Sequence, residues 1–301
     1  MLIGLHVGDF SWPGGPAAIG PTLDRLVTTA DAVGVHSFWP MDHFFQIAVF
    51  GAEDDPMLEA YATLAWVAGR TRRLQLGALV TGVPYRHPGA LVKAVTTLDV
   101  LSGGRAWLGL GAAWNEDEAS GLGLPFPPLA ERFERLEEVL VLARRMFAGD
   151  ATPHEGRHYR LERPLNVPAP VRRPPVLVGG MGERKTLRLV ARHADACNLF
   201  EMLGTDGLAH KLEVLRSHCD EVGRPYDDVV KTTFGQLGQT SLDEAVDRFG
   251  RLADLGIDLA LVDVPHAADP GALDLIAELV TAVAPLGRPT PALLGPAPAA
   301  A

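Results

Sequence analysis

The sequence predicts an α/β fold, a (β/α)8 TIM barrel with an insertion before its fifth strand. Strand-like and helix-like segments alternate from the first residue, which implies parallel strands joined by right-handed crossovers. Eight such units fit in about 285 residues, the number and length of that barrel. No GxGxxG follows the first strand, where "GLHVGDFSWPGG" stands, so the rival open, doubly wound sheet is disfavoured.

The elements follow in order. "LIGLHV" (2–7) is the first strand, and 21–34 a helix closed by Gly34. "HSFWP" (36–40) is the second strand and 57–70 the second helix. "RLQLGALV" (73–80) is the third strand, and 88–104 a helix with proline at its start and glycine at its end. "RAWLGLGA" (105–112) is the fourth strand. Leu129, Phe133, Leu136, Val139, Leu140, Ala143 and Phe147 then recur at helical spacing. Residues 150–175, rich in Pro and Arg, have no helical period and read as an inserted, partly hairpin-like loop. The alternation resumes with strands at 176–180, 194–200, 229–234 and 258–264, each followed by a helix: 183–193, 206–223, 242–255 and 271–285. Residues 1–285 are expected to form one domain, and the Pro/Ala tail 286–301 to be disordered.

Of 301 residues, 47% are hydrophobic and 21% charged, enough for a large core. The net charge of −10 argues against nucleic acid or an anionic membrane as partner. Cys197 and Cys219 lack CxxC spacing, so no structural disulfide and a cytoplasmic location are expected. No signal peptide and no membrane span are expected.

In such a barrel the site lies in the loops after the strands. "FWPMDHFF" (38–45) leaves the second strand with Asp42 and His43 at the mouth. There an imidazole can exchange protons near neutral pH with a carboxylate to orient it, between walls of Trp39, Phe44 and Phe45. A hydrogen-bonded structural histidine is the competing reading. "GGMGERK" (179–185) follows the fifth strand and opens a helix. Its glycines, the helix N-terminus and Arg184, Lys185 and Arg188 suit a phosphate, or equally a tight turn with a solvated basic face. After the fourth strand, Gly109 and Gly111 permit close backbone approach. Trp114 could cover a flat ring to which Asn115 or Glu116 bonds, or the segment simply begins a helix. Arg86 and His87 could face an anion or form a surface turn. His154 and His158 are four apart, but Pro153 and Gly156 break any helix there and no third ligand is near, so no metal site is expected.

Three segments taken together resemble one family. They are "FWPMDHFF", "LGALVTGVPYRHPGALVKAVTTLDVLSGGRAWLGLGAAWNEDE" and "PPVLVGGMGERKTLRLVARHADACNLF". The chain resembles the bacterial-luciferase-like monooxygenases and reductases, in particular the branch that uses coenzyme F420, a deazaflavin. The resemblance implies a hydride-transferring oxidoreductase acting on a small organic substrate, with His43 and Asp42 as the catalytic pair. It implies a non-proline cis peptide at Ala78–Leu79 supporting the ring, and phosphate contacts at Thr81, Ala112 and the turn Gly179, Gly180, Met181 and Gly182. Arg86 and the basic residues after Gly182 would suit the cofactor's charged tail. The family's sugar-phosphate dehydrogenases carry a Glu where this chain has Trp114. An FMN-dependent monooxygenase using reduced flavin and oxygen is the alternative, and a non-catalytic flavin-binding relative a further one. The resemblance also implies a homodimer, with helices 57–70 and 88–101, including Trp66, as a candidate surface.

Overall fold

In the computed structural model, residues 1–264, 267–269, 271–289 and 291–295 are described. The chain opens with β1 (Leu2–Val7), α1 (Pro16–Val33), β2 (Ser37–Pro40) and α2 (Ala60–Arg70). Next come β3 (Gln75–Leu76), β4 (Thr81–Gly82), α3 (Pro88–Ser102), β5 (Leu108–Gly111), α4 (Glu116–Gly121) and α5 (Leu129–Phe147). A short hairpin, β6 (His154–Glu155) with β7 (Arg160–Leu161), precedes β8 (Val176–Gly179) and α6 (Thr186–His193). The chain ends with β9 (Ala196–Phe200), α7 (Gly204–Glu221), β10 (Val230–Gln236), α8 (Leu242–Asp254), β11 (Leu259–Asp263) and α9 (Asp274–Val283).

Local chemistry sets most boundaries. In α3, Pro88 takes the first turn, where its missing N–H costs nothing, and Gly103 closes the helix at φ 72°. In α8, Ser241 and Glu244 form a reciprocal capping box. The start of α1 departs from expectation. Pro16, not Pro21, occupies the first turn, and Pro21 lies inside the helix.

Nine strands form one parallel sheet in the order β3-β2-β1-β11-β10-β9-β8-β5-β4. The end strands β3 and β4 are separated in sequence only by residues 77–80, so the sheet must curl. Leu76 N donates to Arg105 O and Trp107 N to Leu76 O, both at 2.8 Å, which joins β3 to the chain entering β5. The expected third strand, 73–80, is thus shortened to Gln75–Leu76, and a second short strand follows beyond it at Thr81–Gly82. The expected hairpin in 150–175 is present between His154 and Leu161.

Two apolar clusters fill the fold. The larger lies between sheet and helices. The smaller joins side chains from several strands: Trp39, Trp107, Leu177, Val230, Leu259 and Leu261. Trp39 and Trp107 meet edge-on at 5.8 Å. Leu294 also belongs to this cluster and is buried, while the carbonyls of Leu293 and Leu294 accept bonds from Arg172 and His36. Disorder expected over 286–301 therefore does not extend to 291–295, because Leu294 has an apolar seat. Residues 296–301 lie outside the described residues.

Candidate functional site

The strand ends surround a cavity of about 750 Å3, a size that suits a cofactor together with a small molecule. Its walls are mostly apolar. Met41 and Ile47 come from the chain after β2, Leu79 and Val80 from between β3 and β4, and Phe133 from α5. Phe200 and Phe234 come from β9 and β10. No Lys or Arg lines it among the described residues.

Asp42 and His43 both border the cavity, but they do not pair with each other. Arg86 grips Asp42 through two bonds, 2.6 and 2.9 Å, and also bonds Glu59. The guanidinium lies over Tyr61 at 4.9 Å and Phe44 at 5.6 Å. Burial pushes the Asp42 carboxyl above its usual range, against the pull of Arg86. The same burial acts against the Arg86 charge, but Asp42 outweighs it and holds the guanidinium above its ordinary value. Arg86 is therefore engaged, not free for an anion.

The partner of His43 is Glu118, on α4. His43 Nδ1 lies 2.7 Å from Glu118 Oε1. Tyr85 Oη donates to the same oxygen at 2.5 Å, and Phe44 N donates to Oε2 at 2.8 Å. Glu118 is fully buried, which would raise its pKa. The bonds from His43 and Tyr85 outweigh that and hold the carboxyl below its usual range. Burial, then Glu118, pushes the Tyr85 hydroxyl up, so it stays protonated and donates. An ionised carboxylate accepts only. His43 Nδ1 therefore donates to it, and Nε2 has no partner among the described residues. Trp114, 64% exposed, stands edge-on to the ring at 5.5 Å.

Across the cavity, Gly179, Gly180 and Gly182 form a turn into α6. Gly180 has φ 121°, a conformation glycine adopts without strain. A Cβ on Gly182 would meet Thr186 Oγ1 at 2.9 Å, so any larger residue there would have to displace the Thr186 side chain. No side chain caps the start of α6, which leaves its first amides to the turn and to any ligand. The cradle and the cavity volume together fit a phosphate-bearing ring compound.

The sequence profile of the luciferase-like monooxygenases matches residues 10–253. The chain belongs to the luciferase-like monooxygenase family. It is 30% identical over 231 residues to an F420-dependent glucose-6-phosphate dehydrogenase of Nakamurella multipartita, covering 73% of this chain. The chain spans 64% of that relative's length, just under two thirds. In fold it resembles an F420-dependent secondary alcohol dehydrogenase solved with an F420–acetone adduct. That TM-score is 0.79 at 16% identity, over 94% of this chain and 98% of the other. It also resembles the oxygenating constituent of 3,6-diketocamphane monooxygenase of Pseudomonas putida, solved with FMN. There the TM-score is 0.69 at 17% identity, over 94% and 97%.

Within this luciferase-like frame, the residues singled out in the sequence divide. Asp42, His43, Leu79, Ala112, Trp114, Gly179, Gly180 and Gly182 border the cavity. Ala78, Thr81, Asn115 and Met181 do not. Thr81 Oγ1 turns to Tyr61 Oη at 2.7 Å, and Asn115 meets Tyr85 only through its backbone carbonyl. The non-proline cis peptide is Leu79–Val80, one residue later than expected. Trp39 does not wall the cavity, because strand alternation turns it into the cluster with Trp107. Phe44 packs on Tyr85, and Phe45 lies where a Cβ on Gly121 would meet it. The space at Gly109 is taken by the chain itself, since a Cβ there would sit 2.1 Å from Ala78 O. Lys185 lies over the Phe133 ring, and neither it nor Arg184 nor Arg188 has an ion-pair partner among the described residues. His154 and His158 bond Glu138 and Glu134. Both cysteines are buried free thiols, and burial pushes Cys197 up to about 12. No helix among the described residues is long and apolar enough to cross a membrane.

Glu118 is the residue the sequence did not give away. It is the third acid of "NEDE", and nothing in that run separates a buried carboxylate from the solvated Glu116.

Proposed function

We propose that the protein is an oxidoreductase that binds coenzyme F420 in the main cavity and exchanges a hydride with a small, largely apolar alcohol or carbonyl compound. The observation that carries this reading is the free Nε2 of His43, fixed at the cavity by a buried, ionised Glu118. The glycine cradle at 179–182 would hold the cofactor's phosphate. Leu79, Val80 and Ala112 would support its ring, with Arg184, Lys185 and Arg188 toward its charged tail. When bound, the deazaflavin would supply two-electron hydride chemistry.

His43 Nε2 takes the hydroxyl proton of an alcohol as its carbon is oxidised, and returns it in the reverse direction. Glu118 stabilises the imidazolium that forms and keeps Nε2 aimed at the substrate. The apolar walls exclude water from the reacting carbon. A sugar phosphate is disfavoured, because no Lys or Arg among the described residues lines the cavity to meet its dianion.

The surrounding fold is read as a (β/α)8 TIM barrel, with β3 and β4 as halves of one strand and 150–175 as the insertion. The protein is taken to act in the cytosol as a homodimer. FMN with oxygen is the second reading, favoured by the fold likeness to the FMN-bound constituent. Titration with oxidised F420 and with FMN, followed by their fluorescence, tests both. F420 is expected to bind at micromolar concentration and FMN at least tenfold more weakly. FMN binding tighter, with oxygen consumption on reduced flavin, would replace the first reading with the second.

A further inference from the structure

A second cavity of about 360 Å3 adjoins the first. His6, Val49 and Phe50 border both. The proposed hydride transfer makes no use of it.

His6 stands at the junction and is only 3% exposed. Its Nδ1 lies 3.1 Å from Asp263 Oδ1, and its ring is edge-on to Phe234 at 4.6 Å. Asp263 is thus the partner of Nδ1. Nε2 has no partner among the described residues. The rest of the small cavity also offers acceptors: Asp9, Asp263 and Asp269 line it, with Gln236 and Ser11. No Lys or Arg does so among the described residues. Nor, among those residues, do any three His, Cys, Asp or Glu side chains gather closely enough to hold a metal ion. Dispersed acceptors around a buried imidazole suit an organic cation with several N–H donors, which a primary ammonium provides.

We propose that the substrate has two parts: an apolar body in the main cavity and a primary ammonium end that passes Phe50 and is held by His6 and the carboxylates of the small cavity. Only the assignment of a reacting carbon to the apolar body rests on the hydride-transfer reading. The cation site stands without it.

Octylamine, octan-1-ol and octanoate serve as probes of equal chain length. Their binding to the cofactor-free protein is measured by calorimetry at pH 7.5, with tryptophan fluorescence as a second signal because Trp12 lines the small cavity. Octylamine should bind about tenfold tighter than octan-1-ol, and octanoate weakest, as a charge-assisted bond implies. His6→Phe and Asp269→Asn should each abolish the amine preference. Asp269 is exposed, so its variant keeps the test informative if His6→Phe fails to fold. Equal binding of amine and alcohol to the wild type, or an amine preference that survives Asp269→Asn, would overturn the proposal. An intact preference in a protein that does not bind F420 would instead remove only the hydride-transfer reading.

Discussion

A carboxylate with donors on both oxygens and no exposed surface has its charge set by its neighbours. Glu118 is held below the ordinary value of 4.5, chiefly by His43 and Tyr85 against burial. Its contribution to stability is therefore present above that value and lost as pH falls through the lower, folded one. Thermal melts between pH 3 and 6 should show a steep acid limb in the wild type and a shallower one in Glu118→Gln. In turnover with an identified substrate, Glu118→Gln should lose about ten thousandfold in kcat, as when a histidine's orienting carboxylate is neutralised. It should also shift the pH profile, which a merely structural role would not do. Arg86 makes a different demand. Without it, Asp42 is a buried, unpaired carboxylate, so Arg86→Met should cost about 3 kcal/mol in urea unfolding at pH 7. The double variant with Asp42→Asn should recover most of that. Equal losses in the single and double variants would show that Arg86 does not serve as the counter-charge.

At the scale of elements, the contact between the 77–80 segment and β5 sets the shape of the cavity wall. Ala78 O occupies the place of a Cβ on Gly109, and Val80 crowds those of Gly111 and Gly179. Gly109→Ala should destabilise by about 1–3 kcal/mol, the range for overpacking a rigid site. Gly250, inside α8 with nothing within 4 Å of a Cβ, is the contrasting case. There alanine should stabilise by up to about 1 kcal/mol. Differential scanning calorimetry of both variants checks the pair. The end of β3 at Leu76 was not legible in the sequence, because "RLQLGALV" carries the apolar run of an unbroken buried strand. The α3 helix was legible, since Pro88 and Gly103 mark its ends chemically.

For the whole molecule, the alternation of strands and helices was readable because buried parallel strands and amphipathic helices have different periods. The site was readable only in part. His43 and the 179–182 turn lie next to strand ends, where the fold alone brings them to the mouth. The pairs that give the site its charge state join residues remote in sequence, 75 positions apart for His43 and Glu118 and 257 for His6 and Asp263. Spacing along a single chain carries no record of such meetings. Asp42 illustrates the converse, since adjacency to His43 suggested a partnership that Arg86 in fact takes.

The inner cluster around Trp39 and Trp107 meets the cavity's lining at Leu79 and Val80, whereas Ile47, Phe200 and Phe234 line the cavity and belong to neither apolar cluster. Specificity can therefore be rewritten without mortgaging the scaffold. A combinatorial library confined to those three positions should retain melting temperatures close to the parent in most clones, whereas one confined to Trp39, Trp107 and Leu261 should yield few soluble proteins.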